Sequence, residues 1–312
     1  MYQHTPLPPY HSPALMKEAL AFLDLHPGDR CVDGTLGDGG HSMAILEATS
    51  PNGRLLALDA DGAALERARQ RLQPFTDRVV LVNDNFANLA TVVRTHGFAP
   101  VPGVLLDLGL SSWQLSEARR GFSFSDEAPL DMRLSASQPF TAAEVVNTYS
   151  QEELSHILFT YGEEPQARRI AQAILRRRPI ATALELAQAV EGVVPRRGRR
   201  ISPATRTFLA LRMWVNSDLE NLQAALQGAI GVLKRGGRLV VIAYHSLEDA
   251  KVKRFMRQEA RDCICPPEQV PCVCGHKATV KVLTRKVVMP SAEEVARNPR
   301  VRSARLRACA AL

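Results

Sequence analysis

Between Arg30 and Gly109 four short apolar runs alternate with three helical ones. RCVDG, RLLALD, RVVLVND and GVLLDLG read as strands; GGHSMAILEAT, AALERARQRLQ and FANLATVVRTHG read as the helices between them. Pro51-Asn52-Gly53 and Pro102-Gly103 punctuate the way into strands as turns. This βαβα rhythm restricts the chain more than any other feature, because it predicts a parallel sheet covered by helices on both faces.

The rhythm then stops. From about Ser112 to Asn216 no comparable strand is visible. EEPQARRIAQAILRRR is an amphipathic helix, with Ile170, Ala171 and Ile174 on one face and arginines on the other. TALELAQAVEGVV is a second helix, for which Thr182 serves as cap, and SPATRTFLALRMWVN a third, with Ser202 suited to the N-cap and Pro203 to the first helical position. The alternation resumes with SDLENLQAALQGAIGVLKRGG, a helix stopped by Gly236-Gly237, then the long strand RLVVIAYHS and the helix LEDAKVKRFMRQEA. VKVLTRKVVMP and SARLRACAAL read as last strands. The expectation is therefore an α/β domain of residues 1–112 and 217–312, interrupted by a helical insertion of residues 113–216.

No run of apolar residues is long enough to span a membrane, and the N-terminus lacks the basic-then-apolar order of a signal peptide, so a cytoplasmic protein is expected. Lys and Arg exceed Asp and Glu by 39 to 32, a surplus that ordinary solubility would explain. Their distribution says more. Arg176, Arg177 and Arg178 cluster, as do Arg196, Arg197, Arg199, Arg200, Arg206 and Arg212 around the third insertion helix. At 5% aromatic content, a surface built on base stacking is not expected.

CVDGTLGDGGHS, residues 31–42, follows the first strand. A dinucleotide loop reads G-x-G-x-x-G so that its amides reach a pyrophosphate. Gly34, Gly37, Gly39 and Gly40 do not have that spacing, and Asp38 would set a negative charge beside any phosphate. A cofactor without phosphates suits the loop better, and S-adenosylmethionine offers a carboxylate, an ammonium and a sulfonium instead. Asp33, Asp59 and Asp107 end the first, second and fourth strands. Ligands of open α/β sheets bind outside the carboxyl ends of the strands, so the three carboxylates face one crevice. Asp61, two residues past Asp59, reads as a helix cap.

Several blocks in order carry a family resemblance: HSPALMKEAL, DGTLGDGGHS, LLALDAD, LLDLGLSSWQL, RGFSF with PLDMRL, YGEEPQARRIAQAI, ISPATRTFLALRMWVN, AYHSLEDAKVK and NPRVRSARLR. Nearly end to end, the chain resembles the ribosomal RNA small subunit methyltransferase H family, also called MraW. The resemblance implies a class I methyltransferase (Rossmann-like) sheet with an inserted helical domain. It implies transfer of a methyl group from S-adenosylmethionine to the exocyclic N4 amine of a cytosine in the decoding region of small-subunit ribosomal RNA. By motif, Gly39, Gly40 and His41 would line the methionine end, Asp59 would hold the ribose, Phe86 would lie against the adenine, and Asp107 with Gln114 would complete the pocket. Two departures stand out: Glu127 replaces a glycine common before PLDMR, and NSDLENL is a variant. Neither touches the cofactor loop.

An exocyclic amine is a poor nucleophile until it pyramidalises, and an acceptor beside it favours that geometry. DLGLSS follows the fourth strand, so Asp107 with Ser111 or Ser112 is nominated as the neighbourhood of the amine, although the serines also suit a turn. Tyr244, His245 and Ser246 end the late strand and could flank an unstacked base; His245 could equally be structural. Arg206 and Arg212 are candidate phosphate contacts. A DNA amino-methyltransferase is the rival enzyme, but D-P-P-Y is absent; an RNA-binding assembly factor is the rival binder. Finally, Cys263, Cys265, Cys272 and Cys274 form two C-x-C pairs around Pro266-Pro267. Four thiolates could hold a structural zinc, or they could be reduced packing cysteines; the resemblance does not decide.

Overall fold

The computed structural model describes residues 13–110, 113–114, 120–124, 127–135, 138–194 and 202–312. The chain runs through α1 (Met16–Leu23), β1 (Arg30–Asp33), α2 (Gly40–Ala48), β2 (Arg54–Asp59), α3 (Gly62–Arg71), β3 (Val79–Asn83), α4 (Leu89–Thr95) and β4 (Val101–Asp107). Among the described residues the next helices are α5 (Ala142–Thr148), α6 (Gln151–Gly162), α7 (Ala167–Arg177), α8 (Ala183–Glu191) and α9 (Thr205–Val215). Then come α10 (Asp218–Ile230), β5 (Leu233–Ala243), α11 (Ser246–Glu259), β6 (Val280–Val282), α12 (Ala292–Arg297) and β7 (Arg305–Ala311).

The sheet order is β3-β2-β1-β4-β5-β7-β6; β1 to β5 are parallel and β7 runs antiparallel to both its neighbours. Residue parity separates the two faces. Leu56, Leu58, Val104, Leu106, Leu239 and Val241 pack under α4, α10 and α11, while Leu55, Ala57, Leu105, Val240 and Ile242 pack under α1, α2 and α3. Both faces being apolar is what a parallel sheet between two helical layers requires. The expected α/β sheet is therefore present.

Two local expectations need correction. The Gly236-Gly237 pair does not stop a helix: α10 ends at Ile230 and both glycines lie within β5. Val101 pairs with Leu233 but Gly103 pairs with Arg238, so the intervening β5 residues bulge out of register. Ser202 is not the cap of α9 itself. Its hydroxyl accepts the Ala204 amide at 3.2 Å, which caps the turn that leads into the helix. Helix α1 was not anticipated.

By packing, the chain up to Gly109 and from Leu219 onward forms one compact unit, and Leu110–Asp218 forms another. The second unit is helical, and three of its described helices, α5, α6 and α8, begin where the sequence provides reciprocal caps: Thr141 with Glu144, Ser150 with Glu153, and Thr182 with Glu185. Along α7, Ile170, Ala171 and Ile174 are buried while Arg168, Arg169, Arg176 and Arg177 are exposed. Asn216 ties the end of α9 to the segment before α5, donating to the Met132 carbonyl and accepting the Leu134 amide, each at 2.8 Å. Among the described residues no helix is long and apolar enough to cross a membrane.

Candidate active site

The order of the parallel strands reverses between β1 and β4, which places a crevice at their carboxyl ends. Asp33 and Asp107 stand at those two ends and Asp59 at the next one along. Asp33 is fully buried; burial pushes its carboxyl above the usual range, although the Ser42 hydroxyl donates to it at 2.7 Å and the Thr35 amide at 3.1 Å. Asp59 accepts the Asp61 amide on one oxygen at 2.9 Å and the Gly37 amide on the other at 2.8 Å. Burial outweighs both, and its carboxyl is pushed up to about 6.

Asp107 remains partly open to the crevice. The Tyr244 hydroxyl donates to its Oδ1 at 3.0 Å, and His41 Nε2 faces its Oδ2 at 3.4 Å without the alignment of a hydrogen bond. Tyr244 is held well above its usual value by burial and by the Asp107 charge. The Asp107 amide in turn donates to the Thr35 hydroxyl, which links β4 to the glycine turn.

Ahead of α2, five amides of the turn are already used. The amide of Gly34 donates to Leu105, that of Thr35 to Asp33, that of Leu36 to Leu58, that of Gly37 to Asp59 and that of Gly39 to Leu36. A pyrophosphate loop leaves such amides open for its ligand. Gly39 caps α2 with φ +74°, a left-handed conformation that glycine adopts without cost. Asp38 is turned back onto α3, where Arg67 Nε donates to it at 3.0 Å. Its charge is thus compensated, and the case against a dinucleotide rests on the glycine spacing and on the five turn amides already used rather than on Asp38.

The remaining expected positions fall as follows. Asp61 caps α3 by accepting the Ala63 amide, as its position suggested. Phe86 is half-buried in a 3₁₀ turn after β3 and packs against the core, as Val80 and Val82 do. His245 caps α11, with Nδ1 accepting the Leu247 amide at 3.3 Å, which is its structural alternative. Gln114 belongs to the second unit and is buried. Ser111 and Ser112 lie outside the described residues, as do Arg196, Arg197, Arg199 and Arg200. Arg206 is exposed, with Nη1 donating to the Glu163 carbonyl at 3.0 Å. Arg212 is not a surface cation: it is 13% exposed and paired with Asp218 at 3.2 Å. Its place on the inward face of α9 corrects the expectation that it meets phosphate. Sequence reasoning missed Thr35, Ser42 and Arg67, which fix the crevice carboxylates and the turn; only the S of DGGHS offered a signal.

A doubly wound sheet whose last strand turns back between β5 and β6 is the class I methyltransferase arrangement, and the carboxylates sit at its switch point. Residues 9–312 match the MraW methylase family, and the chain belongs to it. It is 52% identical over 297 residues to the ribosomal RNA small subunit methyltransferase H of Dehalococcoides mccartyi, covering 95% of this chain and 85% of that one. The enzyme of the same name from Thermomicrobium roseum is 51% identical over 306 residues (97% and 94% covered), and that from Syntrophobacter fumaroxidans 49% over 303 (96% and 95%).

Proposed function

We propose that this chain transfers a methyl group from S-adenosylmethionine to the exocyclic N4 amine of a cytosine in the decoding region of small-subunit ribosomal RNA. The names of its relatives support the RNA substrate. The observation that carries the cofactor is the pair of carboxylates at the ends of β2 and β4, Asp59 fixed by the Gly37 and Asp61 amides and Asp107 partly open, beside a turn with five of its amides already used. Such acceptors suit a ligand that donates hydrogen bonds, as ribose hydroxyls and an ammonium do.

Gly39, Gly40 and His41 would line the methionine end, Asp59 the ribose, and Phe86 the adenine. The second lone pair on each Asp59 oxygen is the natural acceptor for a ribose hydroxyl. When bound, the sulfonium supplies an electrophilic methyl group. Asp107 and Tyr244 then act on the nucleophile. The hydroxyl of Tyr244 points at Asp107 Oδ1, so the phenol oxygen keeps lone pairs for an incoming amine, and the carboxylate is an acceptor for its proton. By motif, Ser111 or Ser112 and Gln114 are assigned to the same reaction. Most of the acceleration would come from aligning two bound reactants. Arg206, together with the arginine face of α7, would meet RNA phosphates and give affinity without reading sequence.

The test is nucleoside mass spectrometry on small ribosomal subunits from cells that lack the enzyme. Incubation with S-adenosylmethionine and the protein should yield N4-methylcytidine, and the Asp107→Ala variant should yield none. Cofactor binding without any methylated cytidine would overturn the substrate assignment and favour an assembly factor that only senses the cofactor.

A further inference from the structure

The connection from α11 to β6, residues 260–279, leaves the sheet and returns to it. Its two ends are clamped together: the Thr279 amide donates to the Glu259 carbonyl at 2.8 Å and the Thr279 hydroxyl to the Glu259 carboxylate at 2.7 Å. Between the clamps the excursion has no helix or strand. Nor has it a core, since Val270 is 84% exposed and Val273 72%. A connection of this length without secondary structure or apolar packing needs another source of order.

The side chains that converge in it are the four cysteines. Cys263 Sγ lies 3.3 Å from Cys272 Sγ and 3.8 Å from Cys274 Sγ; Cys272 Sγ lies 3.5 Å from Cys274 Sγ and 3.9 Å from Cys265 Sγ. All four sulfurs fall within 4.8 Å of one another. A disulfide needs about 2.05 Å, and all four thiols are free. Packing does not explain the convergence either, because three of the four are exposed and the fourth is half-buried, so bringing them together hides little apolar surface. Sulfurs at the corners of a tetrahedron around zinc, with bonds of about 2.3 Å, would stand about 3.8 Å apart. The observed separations straddle that edge.

We propose that Cys263, Cys265, Cys272 and Cys274 form a tetrathiolate site for a single zinc ion, which staples the connection between α11 and β6. Four soft sulfur ligands select zinc or iron over harder cations. Their close approach suits one ion, because the inorganic sulfides of a cluster would hold the thiolates farther apart. The Ile264 amide points at Cys274 Sγ from 3.4 Å, the kind of outer donor that orients a ligating thiolate. Binding releases the thiol protons to solvent and changes no oxidation state.

The position in the sheet makes the ion structural. Val280, where the excursion rejoins, pairs with Ala311, and the neighbouring Ala310 pairs with Arg238 near the N-terminal end of the paired β5. The crevice lies past the other end of β5, at Tyr244. The site is therefore independent of the proposed methyl transfer.

Elemental analysis of protein purified under reducing conditions should find one zinc per chain. The four clustered thiols should resist a colorimetric thiol reagent until a strong chelator is added, and then react together; buried Cys31 and Cys309 should stay silent in both states. Cobalt substituted for zinc should give the charge-transfer and ligand-field bands of a tetrahedral thiolate site. Cys263→Ser/Cys272→Ser protein should lose the metal, and the thiol protection in the wild-type chain decides the matter even if that variant folds poorly. Exposed thiols that react at once in zinc-replete protein, or an unchanged zinc content in the double variant, would overturn the proposal.

Discussion

His41 and Asp107 face each other across 3.4 Å, Nε2 to Oδ2, where the start of α2 meets the end of β4. Burial alone would lower the imidazole, but Asp107, Asp33 and the Ala14 carbonyl outweigh it and hold His41 above its usual value. The protonated form is thus favoured in the fold. Its contribution to stability is fully present below the unfolded value of about 6.5 and is lost as pH rises through the raised one. The stability gap between wild type and His41→Asn should be wider at pH 6 than at pH 9 in thermal melts. An equal gap at both would remove the ion pair.

Asp59 gives a second pH dependence, in binding. Its carboxyl titrates at about 6, and the ionised form is the better acceptor for ribose hydroxyls. Cofactor affinity measured calorimetrically should weaken as pH falls below about 6. The Asp59→Asn variant should lose roughly 10- to 100-fold in affinity, the worth of one hydrogen bond to a charged group, together with the pH dependence. Unchanged affinity would refute the ribose assignment.

Tyr244→Phe deletes one oxygen and leaves the ring in place. The variant should bind cofactor within threefold of wild type but turn over about tenfold more slowly, since the hydroxyl acts on Asp107 and the amine. Loss of cofactor binding with turnover unchanged would place Tyr244 in the cofactor pocket instead.

Charge reversal should separate the two arginines of α9. Arg206→Glu should weaken subunit binding and lower the salt slope by about one, with the melting temperature preserved. Arg212→Glu should instead destabilise the chain by about 3–5 kcal/mol, because it sets a second carboxylate against largely buried Asp218. Equal effects of both on RNA binding alone would refute this division.

Gly40 tests the turn. An added Cβ would lie 2.3 Å from Pro13 Cγ and 3.3 Å from Arg71 Nη1. Gly40→Ala should cost about 1–3 kcal/mol in denaturant unfolding, an overpacking penalty. A neutral substitution would mean that the segment before α1 is free to move away.

The parallel sheet was legible because its strands are short apolar runs, three of them ending in aspartate, a pattern local to each strand. The crevice was legible for the same reason, since three strand ends in one sheet share one side. What was hidden depended on distant partners. Asp38 looks like an unpaired charge until α3 brings Arg67 beside it, and Arg212 looks like a surface cation until Asp218 folds against it. The glycines of β5 read as a helix stop because a bulge in a strand and a helix end use the same residue. Helix α1 carries no cap side chain at its start, so no punctuation announced it.

Strand β4 is the middle of the sheet, yet its partner on one side is separated from it by residues 108–232. Once β1 to β4 have paired on a growing chain, Val101–Asp107 forms a bare edge with Val104, Leu105 and Leu106 uncovered along it. At ~5–20 residues per second of synthesis, that edge stays open for on the order of ten seconds before β5 can reach it. An unprotected apolar edge is a template for pairing with another nascent chain. Over-production of this protein is therefore most vulnerable during translation rather than after it. Spacing out initiation on the message, or supplying chaperone, should recover more soluble protein than any substitution that stabilises the finished fold.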